Sequence, residues 1–288
     1  MKRVLIVING YTVAQGVEHQ IKRLIEEFSA RGVEVDVRKN TDILAYIDGE
    51  KIVHQLPPYD FVVYLDKDRY VAGLLEKSGY KLFNSEKAIS LCDDKMLTHV
   101  FLSKSGIKMP KTISSNLCYH DNGYRDYLNN IIETIGLPMI VKENYGSLGR
   151  QVYLVTTKEE LIEIENRLIH VPHLFQELIT SSVGMDYRLI VIGGKVVAMM
   201  KRENKHSYLS NLATGGTATK VELPQPYIDM AEKAAKLIGL DYCGVDILKG
   251  KDGEPILSEV NSNAFYEGIE KATHVNVAGS YVDYLLSK

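Results

Sequence analysis

Two short apolar runs near the end of this chain constrain its fold more than any other feature. One covers residues 244–248 and the other residues 256–261, and Gly250, Lys251, Asp252 and Gly253 between them have turn composition. That spacing predicts a β-hairpin. If Lys249 pairs with Glu254 across the turn, Asp246 lies opposite Leu257. Side chains alternate faces along a strand, so Leu257, Glu259 and Asn261 would share one surface with Asp246. Such a surface offers two carboxylates and an amide oxygen. Oxygen-only donors suit a hard cation such as magnesium, which usually binds substrate phosphates as well. The inference depends on register, because a one-residue slip sends a side chain to the opposite face.

A length of 288 residues is enough for one large domain or roughly two to three small ones. The net charge of −3 gives no reason to expect a nucleic-acid partner. Cys92, Cys118 and Cys243 are odd in number, far apart and without metal-ligand spacing, which fits reduced thiols in a cytoplasmic protein. The apolar run at residues 4–8 is too short for a signal peptide, and no segment approaches the length of a membrane span. The expectation is a soluble, cytoplasmic protein without a membrane partner.

Along the chain, residues 4–8 form a compact apolar run of the kind found in buried parallel strands. Val17, Ile21, Leu24, Ile25 and Phe28 follow at helical spacing, and Gly32 ends that helix. Strands at 33–37, 61–65 and 81–83, with a helix at 71–77, complete a strand–helix alternation that predicts a small parallel sheet. Residues 85–105 read as two helical pieces, the second opened by Asp93, Asp94 and Lys95. Strands at 137–142, 152–155 and 174–179 with a helix at 158–168 predict a small α+β unit. A hairpin at 186–200 turns on Gly193 and Gly194, and an amphipathic helix at 226–238 precedes the hairpin of the opening.

Several residues carry candidate chemistry. Gly146, Ser147, Leu148 and Gly149 join two strands, and successive amide hydrogens there can cradle phosphate oxygens, although an ordinary hairpin turn has the same composition. Lys142 ends an apolar strand just before that loop, where an ammonium could meet phosphate or simply be a solvated strand-end lysine. Lys95 also fits plain helix-start chemistry. Gln176, Glu177 and Ile179 end a strand at a boundary, where a carboxylate and free backbone groups can read an adenine edge and ribose. Asp186 and Arg188 share a strand face as a cleft pair or a surface ion pair. The polar stretch 210–217 has the make-up of a lid, and Arg202, just after a strand, would point toward it. The histidines show no metal spacing, and His206 alone lies inside the polar loop.

Taken in order, Lys95, Lys142 with Gly146 to Gly149, Gln176 to Ile179, Asp186 with Arg188, Arg202 with Ser210 and Asn211, and Asp246 with Glu259 and Asn261 resemble one family. It is the ATP-grasp superfamily, in its RimK-like branch of ribosomal-protein glutamate ligase and related amino-acid ligases. The resemblance covers residues 85–288 and implies a mixed α/β and α+β fold. Residues 1–84 would be a small parallel-sheet domain, 85–180 a central subdomain with its leading helices, and 181–288 a C-terminal subdomain with the metal site.

The resemblance implies ATP with Mg2+, as one ion or two and with Mn2+ as an alternative, clasped between the two later subdomains. Lys95 and Lys142 would contact phosphates, with Gly146, Ser147 and Gly149 closing over them. Gln176, Glu177 and Ile179 would border the adenine, and Asp186 would stand near the nucleotide. Asp246, Glu259 and Asn261 match the metal ligands, while Arg202 and Asn211 match positions facing the transferred phosphoryl group. The implied reaction joins a carboxylate to an amine through an acyl phosphate, adding glutamate or another amino acid to a peptide or small molecule. Homo-oligomers are frequent in relatives. The chain departs after Asn261: where the family often has a small residue, proline and glycine, Ser262 to Gly268 carries two aromatics and no proline. Two other readings remain open from the residues, a kinase that stops at phosphoryl transfer and a nucleotide-binding regulatory module.

Overall fold

The computed structural model describes residues 2–12, 15–212 and 215–288, with the backbone alone at residue 15. Ala213 and Thr214, within the expected lid, lie outside the described residues. The first layer runs β1 (Arg3–Ile8), α1 (Gln15–Ala30), β2 (Glu34–Lys39), β3 (Ala45–Asp48), β4 (Lys51–His54), β5 (Phe61–Leu65), α2 (Arg69–Lys77) and β6 (Leu82–Phe83). Its sheet has the order β2-β1-β5-β6 and is parallel throughout. β1 and β5 are buried almost end to end, as their unbroken apolar sequences require. The β3–β4 ribbon was not legible in the sequence, because its strands are short and mostly exposed.

Two short helices, α3 (Glu86–Asp93) and α4 (Lys95–Leu102), lead into the second layer. Asp94 caps α4 by accepting from the Leu97 amide at 3.0 Å, so the expected helix break falls where the two aspartates stand. The layer continues with β7 (Thr112–Ser114), α5 (Tyr127–Ile135), β8 (Met139–Glu143), β9 (Val152–Val155), α6 (Lys158–Leu168) and β10 (His173–Glu177). Its antiparallel sheet has the order β7-β10-β8-β9. Strand β10 stops at Glu177, two residues before the end that the sequence suggested, and Ile179 starts a short 3-10 turn.

The third layer comprises β11 (Met185–Ile192), β12 (Lys195–Glu203), β13 (Thr217–Lys220), α7 (Gln225–Ile238), β14 (Tyr242–Lys249), β15 (Pro255–Asn261), α8 (Glu267–Thr273) and α9 (Val277–Leu286). The antiparallel order is β13-β12-β11-β14-β15. One face packs Leu189, Val191, Val245, Ile247 and Leu257 against α3 and α7. The other face changes character along its length. Ile190, Ile192 and Tyr242 join Val4, Ile6 and Phe28 of the first layer in one core, while Asp186, Arg188 and Asp246, on the same side, turn into a cavity. Arg202 lies inside β12, not beyond its end.

The terminal hairpin corrects the register expected from sequence. Lys249 pairs with Pro255 instead of Glu254, a slip of one residue, and Ile247 pairs with Leu257. Continued without interruption, this register would set Asp246 against Ser258. A bulge between Asp246 and Ile247 absorbs Ser258, and Asp246 pairs with Glu259. Leu257 therefore belongs to the core face and not to the carboxylate face.

Candidate active site

A cavity of about 880 Å3 lies between the second and third layers and reaches the C-terminal edge of the first sheet. That size is ordinary for a small-molecule or cofactor site. The floor is built by register. Asp186 pairs with Arg202 across β11 and β12, Arg188 with Asp246 across β11 and β14, and Asp246 with Glu259 across β14 and β15. Facing positions on neighbouring strands put their side chains on one surface, so these residues make a continuous charged row.

Within the row, the Arg188 guanidinium donates from Nε and Nη2 to the two Asp246 oxygens at 2.7 and 2.6 Å. The Arg202 guanidinium donates to both Asp186 oxygens, with Nε to Oδ1 at 2.7 Å, and its Nη2 lies 3.0 Å from Asp246 Oδ2. Burial alone would push Asp246 up, but the two guanidiniums hold its carboxyl below the usual range. Both arginine contacts have the planar, paired geometry that suits guanidinium and carboxylate. Asn261 completes the surface, its Nδ2 3.5 Å from Asp246 Oδ2.

Two lysines face this row from the second layer. Lys95 is 9% exposed, donates to the Gly146 carbonyl at 3.3 Å and lies 3.7 Å from Glu259 Oε1. Desolvation pulls Lys142 down to about 8, opposed by the Glu259 carboxylate and reinforced by the Lys95 charge. The Gly146 to Gly149 loop forms the roof. Gly149 has φ of +76°, and a side chain there would meet Leu209 and Asn211, so the glycine allows the loop to lie against that segment.

The structure brings together the residues that the sequence assigned to nucleotide, phosphoryl group and metal. Lys95, Lys142, Gly146, Ser147, Gly149, Gln176, Glu177, Ile179, Asp186, Arg202, Asn211, Asp246, Glu259 and Asn261 all line the one cavity. Gln176 lines the cavity with its amide nitrogen engaged within the protein. Its Nε2 donates to Thr112 Oγ1 at 2.9 Å and stands 3.1 Å from His99 Nε2. His99 Nδ1 faces the Lys95 carbonyl at 2.8 Å, which fixes Nδ1 as donor and Nε2 as acceptor. Burial pushes the His99 pKa down, in keeping with that neutral ring. His206 does not line the cavity.

Arg188 and part of the first layer also line the cavity. Lys67, Tyr11 and Gly16 line the far end of the cavity with Phe265. Asp68 instead caps α2, accepting from the Tyr70 and Val71 amides.

The donor set of Asp246, Glu259 and Asn261 is all oxygen and lies on adjacent strands, which fits a hard divalent cation. No group of three or more His, Cys, Asp or Glu side chains gathers for a metal among the described residues. Two carboxylates and an amide would leave coordination positions for phosphate oxygens and water, the usual habit of Mg2+. Lys67, Lys95, Lys142, Arg150, Arg188 and Arg202 outnumber Glu177, Asp186, Asp246, Glu259 and Glu267 around the cavity, so it also suits a polyanion.

A fold of this kind, with charge gathered between two antiparallel layers, is that of the ATP-grasp ligases. Over 99% of both chains, the structure superposes on an ATP-grasp ligase PsnB complexed with minimal precursor, with TM-score 0.74 at 20% identity. It superposes equally on a D-alanine–D-alanine ligase from Bacillus anthracis complexed with ATP, with TM-score 0.74, 19% identity and coverage of 100% and 97%. Residues 92–285 match the RimK-like ATP-grasp domain, and the chain belongs to that family. It is an ATP-dependent, ADP-forming carbon–nitrogen ligase by class, and the family works with ATP and Mg2+.

Similar curated proteins include a probable alpha-L-glutamate ligase of Maridesulfovibrio salexigens, 36% identical over 73% of this chain and 68% of that one. Another probable alpha-L-glutamate ligase, of Psychromonas ingrahamii, is 34% identical over 93% and 91%. Human N-acetylaspartylglutamate synthase A is 33% identical over 77% of this chain, which spans 56% of the human protein's length. No helix among the described residues is long and apolar enough to cross a membrane.

Proposed function

We propose that this protein joins a carboxylate to an amine through an acyl phosphate, with glutamate or another amino acid as one partner and a peptide or small molecule as the other. The observation that carries the reading is the charged row Arg202–Asp186, Arg188–Asp246–Glu259 on one sheet face, opposite Lys95 and Lys142. Glutamate is favoured because the names of the similar bacterial and human proteins share it. The proposed division of labour is a first domain of residues 1–84, a central subdomain of 85–180 and a C-terminal subdomain of 181–288.

In this reading Asp246, Glu259 and Asn261 hold Mg2+, which supplies charge neutralisation at the β- and γ-phosphates when bound. Lys95 and Lys142 bind phosphate oxygens as point charges, and the amides of Gly146, Ser147 and Gly149 cover them. Glu177 and the Ile179 backbone border the adenine. Gln176 contributes by packing, its amide nitrogen being held by Thr112 and placed against His99. Asp186 aligns Arg202, which with Asn211 faces the phosphoryl group as it passes to the substrate carboxylate. The amine then attacks the acyl carbon and phosphate leaves. Residues 209–211 lie against Gly149 and exclude water from the acyl phosphate.

The test incubates the protein with ATP, Mg2+ and pools of amino acids and peptides. Release of ADP and phosphate is expected only when an acid and an amine are both present, and hydroxylamine should trap the activated acid as a hydroxamate. A stable phosphorylated product formed without any amine would replace the ligase with a kinase. Nucleotide binding with no turnover under any pool would leave a regulatory module.

A further inference from the structure

The segment that follows the proposed metal ligands is tied to the first layer one residue at a time. Asn84, 2% exposed, donates from Nδ2 to the Ser262 carbonyl at 3.0 Å. Asn263 Nδ2 donates to the carbonyl of Leu65, the last residue of β5, at 2.8 Å. Gln20 of α1, fully buried, donates from Nε2 to the Ala264 carbonyl at 3.0 Å. Phe265 lies against Gly16, where an added Cβ would stand 2.6 Å from the ring. Four consecutive residues thus contact a different part of the chain from the strand they continue.

The mechanical setting gives this significance. Strand β15 is the sheet edge and ends at Asn261, so it has a strand neighbour on one side only. Edge-strand ends are among the first parts of a fold to open. Asn261 is the last residue of that strand and Glu259 lies two residues before it. On the outer side of β15 the Leu257 amide donates to the Lys108 carbonyl at 2.9 Å; beyond it, at the end that carries Glu259 and Asn261, the contacts are those made by residues 262–265.

We propose that residues 262–265 act as a strap through which the first layer sets the position of Glu259 and Asn261, with Gln20 as the principal positioning residue. The proposal rests on the reading that those two side chains hold Mg2+. Gln20 itself lies outside the cavity lining. Its loss leaves the Ala264 carbonyl with a second donor, the Tyr242 hydroxyl at 2.5 Å, so the loop need not unfold. The strap makes metal binding depend on contacts in a layer that holds no metal ligand.

The test measures ADP affinity by calorimetry with and without Mg2+ in the whole protein, comparing wild type with Gln20→Met and Gln20→Leu. Methionine keeps the length of glutamine without its donor, and leucine removes the donor and shortens the side chain. Both variants should melt cooperatively and bind metal-free ADP as wild type does. The strengthening of ADP binding by Mg2+ should fall by about fivefold or more, the equivalent of one ordinary hydrogen bond. A purely structural role would lower the melting temperature and leave the Mg2+ response intact; that result in both variants overturns the proposal. Glu259→Gln is the control. Wild-type Mg2+ response in that variant would remove the metal assignment itself, and the strap's purpose with it.

Discussion

Glu165 and His173 in the second layer are 2% and 1% exposed, and Asp246 and Arg202 in the third are 4% and 3% exposed. All four are ionisable, yet the two sites differ in what surrounds them. Glu165 accepts from the Tyr127 hydroxyl and meets His173 Nε2 at 2.8 Å, while His173 Nδ1 faces the Val171 carbonyl at 2.7 Å. That network is closed on protein atoms and lines no part of the cavity. Asp246 and Arg202 are paired as tightly but open onto 880 Å3 of space, with Glu259 beside Asp246 and Lys142 across the cavity. Burying charge is costly in both cases. The second layer recovers that cost within the fold, whereas the third leaves its charges where a polyanion and a cation can join them.

The comparison can be broken most sharply by His173→Leu. It removes one member of a closed buried pair and should destabilise the protein by about 3 kcal/mol in chemical unfolding. ADP release per folded molecule should stay at the wild-type level. Lost turnover at full folding would mean that the second-layer cluster also serves the reaction. Next in size, Glu259→Gln should lower turnover by about a hundredfold, the scale of removing one electrostatic contact to a transition state. Its melting temperature should scarcely move, because Glu259 is only partly buried. A variant that turns over normally would make the hairpin structural, like Glu165.

Acid stability sharpens the contrast further. Burial pushes Glu165 up from its ordinary value of 4.5, but hydrogen bonds from His173 and Tyr127 more than offset this and the net shift is downward. A depressed folded-state pKa gives stability that is fully present above the unfolded value and is lost as pH falls through the folded one. Unfolding curves collected below pH 4.5 should therefore show an acid limb that Glu165→Gln flattens. An identical limb in the variant would show that the pair adds nothing to acid sensitivity. The smallest effect is expected at the exposed Glu267–Lys271 pair, where Lys271 is 72% exposed. Lys271→Ala should cost about 0.5 kcal/mol or less, measured by the same unfolding curves; a larger loss would point to a role for α8 beyond its surface.

Much of the fold was legible because long apolar periods report burial directly. Residues 61–65 and 158–168 were read with the bounds observed. The β3–β4 ribbon and β13 were not legible, since short strands with exposed side chains lack a periodic signal. At the site, residue type and order named the side chains, but not their partners. Gln176 looked like a nucleotide contact, and only the approach of α4 to β10 showed its amide directed at His99. The partner of Arg188 was not legible, because Asp246 lies 58 residues away along the chain.

The hairpin of residues 244–261 separates the two sources of information. Sequence by itself determined that two strands meet at a glycine turn and that Asp246, Glu259 and Asn261 are oxygen donors, because alternation and turn composition are local properties. It could not determine register, since a slip of one residue changes no local preference. The tertiary structure decided it: the pairing slipped by one and the bulge at Ser258 restored Asp246 to the side of Glu259. The free energy that fixes this choice comes from Ile247 and Leu257 packing against the helices behind the sheet, a contact that exists only once distant segments are assembled.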